Sequence, residues 1–199
     1  MQRKILRFLL LRGRLPMDGS SRPDELLCLA SAAKRTGFNI GYSSYAFLSA
    51  NPETQVISFD LGRHGCTKTA KKLIDKRFPN RHTLIYGNSL ETVPEFKTQN
   101  PDLRFDVIFI DGEHGYEAAK LDIANMQPLC TDKTVVVMDD LLPWRWWGTG
   151  PTQAWTEAIQ EGIIRQDELF KDGKPVDVIE PPGERCWALG RYVCENSVD

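Results

Sequence analysis

The chain has 199 residues, of which 41% are hydrophobic and 26% are charged, and its net charge at pH 7 is −2. These values are typical of one globular domain that is large enough to bury a core. The near-neutral charge predicts no partner nucleic acid, and no apolar run approaches the roughly 20 residues of a membrane span, so we expect no stable membrane insertion.

Five cysteines are an odd number, and no two of them have CxxC spacing. The sequence therefore predicts neither a disulfide framework nor a zinc site. It favours a reducing compartment, the cytoplasm, as the location of the protein.

Residues 1–20 are predicted to form a basic N-terminal arm ahead of a single domain over residues 21–199. The arm begins MQRKILRFLLLRGR, with five Arg or Lys residues and no acid around an apolar run. A targeting presequence to an organelle or a membrane-surface helix would fit this pattern, although no small-residue cleavage site follows. The simpler interpretation is a helix that packs on the domain or at a homodimer contact.

The first predicted element after the arm is a helix over residues 20–35, SSRPDELLCLASAAKR, with a serine cap and Pro23 in its first turn. Strand-like and helical patterns then alternate. The predicted strands are VISFD (56–60), HTLIYG (82–87), FDVIFID (105–111) and TVVVMDD (134–140), and the predicted helices cover 67–78, 91–99, 116–129 and 153–162. In the helix over 67–78 we expect Leu73, Ile74 and Phe78 on the buried side.

The fold class that follows is α/β, with a doubly wound, Rossmann-like, mostly parallel sheet. Continuous apolar strands indicate a sheet that is covered on both faces, which is typical of parallel strands joined by helices. At the C-terminus, PVDVIE (175–180) and CWALGRYV (186–193) flank a PPGE turn and predict an antiparallel hairpin.

Polar residues stand at the ends of four consecutive predicted strands. Ligands of open α/β sheets bind beyond the carboxyl ends of the strands, so four such ends favour one shared site over four separate helix caps. The residues are Asp60, Asn88 with Ser89, the segment 111–114, and Asp139 with Asp140.

A glycine-containing loop, GFNIGYSS (37–44), precedes these strand ends. Gly37 and Gly41 let the backbone turn tightly and approach a ligand, while Ser43 and Ser44 can cap the next helix or donate hydrogen bonds. The glycines alone would equally fit an ordinary tight turn. Asp60, about 20 residues further on, can accept both hydroxyls of a ribose and favours a cofactor loop.

The acids after the last two parallel strands predict a metal site. Adjacent strands lie about 4.8 Å apart, so Asp111, Asp139 and Asp140 can share one hard cation such as Mg²⁺. The alternative is that the paired acids cap the following turn. His114 is the one imidazole in the cluster, which makes it a candidate general base or a supporting group, with Asp111 beside it.

Four tryptophans follow the paired aspartates in LLPWRWWGTGPTQAW. Trp144, Trp146, Trp147 and Trp155 suit an aromatic wall or lid over a pocket, and simple packing of the loop on the domain is the alternative.

These motifs resemble those of the class I S-adenosylmethionine-dependent methyltransferases, and more narrowly a small O-methyltransferase branch. The resemblance covers roughly residues 24–194 and depends most on FDVIFIDGEHGYEAAKLDI, followed by VVVMDD. It implies a seven-stranded sheet whose last strand is antiparallel. The sequence departs from the family at two places. Asn88 stands where members often have Asp. The larger departure is Arg35, which stands where an acid normally ends the first strand, so that strand is expected to be very short, irregular or lost.

The resemblance also implies roles for individual residues. Gly37, Asn39 and Gly41 would hold the methionine part of S-adenosylmethionine, Asp60 the ribose, and Asn88 with Ser89 the adenine. In metal-dependent relatives, acids at the positions of Asp111, Asp139 and Asp140 hold Mg²⁺. The full set of candidate cofactor contacts is Gly37, Asn39, Gly41, Ser43, Asp60, Asn88, Ser89 and Asp111.

The function that follows is methyl transfer from S-adenosylmethionine to a hydroxyl of a small molecule, with assistance from Mg²⁺. The alternative is a catalytically impaired binding or partner protein with the same fold, which Arg35, Asn88 and the lost first strand would support. A nicotinamide dehydrogenase is disfavoured because the loop lacks the third glycine of the GxGxxG pattern.

Overall fold

The computed structural model describes residues 28–32, 38 and 41–193. Eight strands within them form one mixed sheet in the order β3-β2-β1-β4-β5-β8-β6-β7. The strands are β1 Cys28–Ala32, β2 Gln55–Asp60, β3 His82–Tyr86, β4 Val107–Ile110, β5 Val135–Met138, β6 Ile164–Lys171, β7 Lys174–Pro175 and β8 Cys186–Tyr192. The helices are α1 Tyr42–Ala50, α2 Gly65–Arg77, α3 Ser89–Gln99, α4 Tyr116–Met126 and α5 Thr149–Gln160, and a 3-10 turn, Gln127–Leu129, follows α4.

Strands β1 to β5 are parallel, and the strand order reverses between β1 and β4. Helices cover both faces of the sheet. One core contains α1 and α2 against one face, and the other contains α3, α4 and α5 against the opposite face. The predicted doubly wound, mostly parallel sheet is therefore confirmed, and the reversal places a crevice for ligands at the carboxyl ends of the central strands.

The first strand is present, and the helix predicted over residues 20–35 is wrong for its central part. Residues 28–32 form β1, which pairs in parallel with β2 on one side and β4 on the other. CLASA contains no β-branched residue, so its local preference gives no strand pattern. Backbone hydrogen bonds to two neighbouring strands override that preference. Arg35, the predicted serine cap and the basic arm lie outside the described residues.

The C-terminal antiparallel pairing is confirmed, but one of its members was predicted wrongly. The partner of β8 is β6, not the predicted strand over 175–180, of which only Lys174–Pro175 is paired. β6 has just three apolar residues in IRQDELFK and a register shift between Gln166 and Glu168. A polar strand near a sheet edge needs few buried side chains, so its sequence carries little periodic signal.

The predicted buried side of α2 is correct for Ile74 and Phe78 but wrong for Leu73, which is 63% exposed. The helix turns Thr67, Ala70 and Ile74 toward the core. These positions are three and four residues apart, so they share one face of the helix. Leu73 immediately precedes Ile74 and therefore lies on a different face. None of the described helices combines the length and the apolar character needed to cross a membrane.

Candidate active site

Three side chains converge at the carboxyl ends of β4 and β5. One donor atom from each of Asp111, His114 and Asp140 lies within 4.8 Å of the other two. The two strands are parallel neighbours, and the N–H of Asp139 donates to the carbonyl of Ile110 at 3.0 Å. This bond ties the beginnings of the two loops together, so the sheet itself positions the cluster.

A short contact in this cluster joins His114 to Asp140. Nε2 of His114 lies 2.8 Å from Oδ2 of Asp140, and each side chain is about one quarter exposed. Asp140 has a φ of 62°, in the left-handed region that Asp and Asn occupy more readily than other residues with a Cβ. The contact is therefore built on a tight turn and remains accessible to a ligand.

Asp139 does not contribute to this group, although the sequence predicted it as a metal ligand. Its Oδ1 accepts a hydrogen bond from the N–H of Asp140 at 2.9 Å, which stabilises the turn after β5. Burial, and then the negative charge of Asp140, raise the pKa of Asp139 to about 6. In the structure His114, rather than Asp139, completes the trio with Asp111 and Asp140.

A small cleft surrounds the trio and is rich in acids. Asp122 of α4 lines it and is itself buried. Ser89, a candidate adenine contact, is fully buried and donates a hydrogen bond from Oγ to Oδ1 of Asp122 at 2.8 Å. Asn88 caps α3, because its Oδ1 accepts the N–H of Leu90 at 3.2 Å. Both candidates thus have structural bonds in addition to any contact with a ligand.

The candidate ribose ligand, Asp60, lies at the end of β2 and is 2% exposed. Its Oδ1 accepts the N–H of Gly62 at 2.6 Å. In the glycine loop, Gly41 begins α1 with a φ of 79°, and Ser43 is a half-buried residue of the first helical turn. The structure therefore places Gly41, Ser43 and Asp60 at the same edge of the sheet, while Gly37 and Asn39 lie outside the described residues.

The four tryptophans have different environments. Trp155 is 2% exposed and donates a hydrogen bond from Nε1 to Oε1 of Gln166 at 2.8 Å, so it belongs to the core. Trp147 lies beside His114, with ring centroids 5.8 Å apart. Trp146 is 84% exposed, and Trp144 is partly buried. One tryptophan borders the site, one packs inside the domain, and neither role could be assigned from the sequence alone.

Two glycines of the same segment permit a close approach of the backbones that shape the site. A Cβ on Gly150 would lie 2.2 Å from the carbonyl oxygen of His114 and 2.6 Å from the nitrogen of Tyr116. A Cβ on Gly148 would lie 2.4 Å from the carbonyl oxygen of Leu142. The start of α5 therefore packs directly against the loop that carries His114.

Gly150→Ala is expected to lower the free energy of unfolding by about 1–3 kcal/mol, because the added methyl group must displace backbone atoms rather than a flexible side chain. Denaturant unfolding measures this loss. Gly65→Ala is the matched control, because a Cβ there meets nothing within 4 Å. A loss no larger than that of the control would contradict the close contact between α5 and the loop.

Three residues near the glycine loop and the cleft were not singled out from the sequence. Glu113 and Asp122 line the cleft, and His82 is buried at the start of β3. Glu113 lies inside the motif that carries His114, so proximity could have suggested it. Asp122 and His82 gave no such signal, because a polar residue in an amphipathic element is more often solvated than buried.

Comparison with known proteins agrees with the fold. A family model described as "Methyltransferase domain" matches residues 35–141, which is more than half of the chain. No protein of curated function matches the sequence significantly.

Several solved structures are similar in fold. The Bacillus cereus O-methyltransferase in complex with SAH has a TM-score of 0.62 at 14% identity, with 96% of this chain and 80% of that chain covered. The SAH-bound Podospora anserina methyltransferase PaMTH1 has a TM-score of 0.60 at 14% identity, with 84% and 72% covered. CalS11, a TDP-rhamnose 3'-O-methyltransferase of calicheamicin biosynthesis, has a TM-score of 0.57 at 17% identity, with 94% and 78% covered.

The family match spans the glycine loop, four parallel strands and both acidic loops, and the strand order is that of a doubly wound sheet with an antiparallel end. The chain therefore belongs to the methyltransferase-domain family and has the fold of the class I S-adenosylmethionine-dependent methyltransferases.

Proposed function

We propose that this chain transfers the methyl group of S-adenosylmethionine to a hydroxyl oxygen of a small molecule, and that a divalent metal ion held by Asp111, His114 and Asp140 assists. The convergence of these three side chains at the carboxyl ends of β4 and β5, beside the switch point between β1 and β4, carries the proposal. Similar folds in an O-methyltransferase bound to SAH and in a sugar O-methyltransferase support the choice of cofactor and of an oxygen acceptor.

The donor set fits a divalent cation. Two carboxylates and one imidazole offer one atom each within 4.8 Å, a separation that one ion can bridge. Carboxylates suit Mg²⁺ and Mn²⁺, whereas an imidazole ligand shifts the preference away from Mg²⁺ and toward transition metals. We therefore propose Mn²⁺ as the ion that these residues would hold, with Mg²⁺ as the alternative.

The edge of the sheet also fits the cofactor. Gly41 adopts a positive φ and lets the backbone approach a ligand without a side chain in between. Asp60 lies at the end of β2, the position from which an acid reaches a ribose in dinucleotide folds. We propose the remaining candidate contacts, Gly37, Asn39, Ser43, Asn88 and Ser89, on the family resemblance.

The chemistry requires an activated oxygen nucleophile aligned with the methyl group. When bound, S-adenosylmethionine supplies an electrophilic methyl group, and a divalent cation supplies positive charge that lowers the pKa of an acceptor hydroxyl. Asp111 and Asp140 would hold the cation beside the crevice through their negative charge. His114 is fixed by its contact with Asp140, so its orientation does not have to be established during the reaction.

A second mechanism for the same reaction is favoured by the 2.8 Å contact between His114 and Asp140. Without a metal ion, Asp140 would orient the imidazole, and the other ring nitrogen, Nδ1, would accept the proton of the acceptor hydroxyl. A chelator separates the two mechanisms. Turnover that is lost with chelator and restored by Mn²⁺ supports the metal ion, and turnover that is insensitive to chelator supports the dyad.

The acceptor is proposed to be a small molecule with a planar or sugar-like ring. Trp147 lies next to His114, and Trp146 exposes most of its indole surface on the same loop. Aromatic faces bury large apolar area and stack on rings, so these side chains would bind the acceptor above the acidic cluster and exclude water.

Titration calorimetry with S-adenosylmethionine tests the proposal against a non-catalytic protein of the same fold. We expect a Kd between about 1 µM and 1 mM, the range of ordinary enzyme substrates. Gly41→Val should weaken binding, because a Cβ would lie 3.0 Å from the ring of Phe38 at a backbone angle that valine rarely adopts. A folded wild-type protein that releases no heat with millimolar cofactor would favour the binding or partner protein.

A further inference from the structure

A chain of buried polar groups lies beneath the glycine loop. Oγ of Ser44 in α1 and Oγ of Ser58 in β2 share a hydrogen bond of 3.1 Å. Oγ of Ser58 and Nε2 of His82, the first residue of β3, share another of 3.1 Å. All three residues are buried, with exposed fractions of 3%, 0% and 7%. These hydrogen bonds thus join two neighbouring strands to the first turn of α1.

The imidazole of His82 makes a second contact toward the same loop. Its ring centroid is 4.8 Å from that of Phe38, and the planes are tilted by 31°. Phe38 belongs to GFNIGYSS and is 3% exposed, so its side chain is anchored in the core. The other ring nitrogen of His82, Nδ1, is buried and has no hydrogen-bond partner among the described residues.

Both contacts lead to the segment that begins α1. The N–H of Gly41 donates to the carbonyl of Phe38 at 2.6 Å, and a Cβ on Gly41 would lie 3.0 Å from the Phe38 ring. Ser44 follows three residues later in the first helical turn. Displacing the His82 ring would therefore move Phe38, the tight turn at Gly41 and the start of α1 together.

If this space only had to be filled, burial of an imidazole would cost free energy unnecessarily. An apolar side chain of similar volume would avoid the desolvation of the ring nitrogens. Hydrogen-bonded polar groups in a core instead fix one geometry, because alternatives leave a donor or an acceptor without a partner. The two contacts of His82 fix two points of the same loop.

We infer that His82 is a positioning residue for S-adenosylmethionine, holding the turn at Gly41 and the start of α1 in place through Phe38 and through the Ser58–Ser44 hydrogen bonds. This inference rests on the proposed function, in which the loop binds the cofactor. His82 does not itself touch the cofactor in this scheme. Its effect is on cofactor affinity, and it leaves the acidic cluster at β4 and β5 unchanged.

Two substitutions separate the contacts. His82→Phe keeps an aromatic ring against Phe38 but removes the partner of Ser58, whereas His82→Gln keeps a polar atom near Ser58 but removes the ring. Each is expected to raise the calorimetric Kd for S-adenosylmethionine about three- to tenfold, the range that corresponds to loss of one net hydrogen bond in His82→Phe or of one aromatic contact in His82→Gln. At saturating cofactor, kcat should stay close to that of the wild type.

Ile164→Val is the matched control for a general loss of stability. Ile164 is buried in β6, near the antiparallel end of the sheet, and loss of one methylene there destabilises the fold by an amount similar to loss of one hydrogen bond. The control should lower the melting temperature and leave the Kd unchanged. If the His82 variants do not fold, Ser44→Ala replaces them, because it removes the link to α1 and keeps the imidazole.

The outcomes distinguish this inference from the proposed function. Weaker binding in one or both His82 variants, with the control unaffected, supports the positioning role and identifies the contact that carries it. A wild-type Kd in both variants, or an equal loss of affinity in Ile164→Val, overturns it while the proposed function stands. A wild-type protein that does not bind the cofactor overturns both.

Discussion

Asp140→Asn is expected to lower methyl transfer by at least about a hundredfold and to abolish binding of Mn²⁺ measured by calorimetry or electron paramagnetic resonance. Loss of groups that merely support metal ligands costs roughly 10- to 100-fold, so loss of a direct carboxylate ligand should cost more. Asparagine tolerates the positive φ of this position, so the turn should remain intact. The expected loss is therefore one of charge and not of folding.

The two neighbouring acids discriminate between the site predicted from the sequence and the site in the structure. If Asp111, His114 and Asp140 hold the ion, Asp139→Asn should retain Mn²⁺ binding, because the amide oxygen can still accept the hydrogen bond from the N–H of Asp140. Equal losses in both variants would instead favour Asp139 as a ligand. Asp177→Asn, on the exposed segment before β8, serves as the control for a surface charge.

The stability of the wild-type protein is expected to fall between pH 6.5 and pH 4 relative to that of His82→Phe. Burial, and then the positive charge of Lys71, lower the pKa of His82 from 6.5 to about 4, with a smaller opposing effect of Asp75. In this pH range the unfolded chain binds a proton at His82 that the folded chain excludes. The contribution of His82 to the free energy of unfolding is therefore complete above pH 6.5 and is lost as the pH falls. Below pH 4 the free energy of unfolding no longer changes because of this group.

The size of this effect follows from the two pKa values. A difference of about 2.5 pH units corresponds to on the order of 3 kcal/mol at the acid end. Denaturant unfolding of wild type and His82→Phe at several pH values measures it as the difference between the two curves. The comparison with the variant is needed because the pKa of Asp139 is raised to about 6. Asp139 therefore makes both proteins more stable as the pH falls, and this contribution cancels in the difference. Parallel curves would show that His82 titrates normally in the folded state.

The strands that are apolar along their whole length were predictable because burial on both faces leaves a continuous pattern in the sequence. VIFI at 107–110 and VVVM at 135–138 are of this kind, and the structure confirms both. β1 and β6 were not predictable, because backbone pairing with neighbours, rather than side-chain pattern, makes CLASA and IRQDELFK into strands. Such pairing involves residues far apart in the chain, which a local pattern does not report.

The candidate site was predictable in location but not in membership. Acids at strand ends pointed to the carboxyl edge of the sheet, and Asp111 and Asp140 do meet there. The loops after β4 and β5 decide the rest, because Asp140 contacts His114 while Asp139 accepts the N–H of Asp140. The pattern of apolar residues that predicts a strand ends at its last residue. It therefore does not specify where the side chains of Asp139 and Asp140, which follow β5, lie.

The α/β class, the central parallel strands and the chemical character of the strand ends can be derived from the sequence, because each depends on local composition and spacing. The contact of His114 with Asp140, the different environments of Trp155 and Trp147, and the contact of His82 with Phe38 become visible only in the folded domain. These facts depend on which segments the sheet brings side by side. Contacts between segments follow from the whole packing of the domain, and no single stretch of the chain contains them.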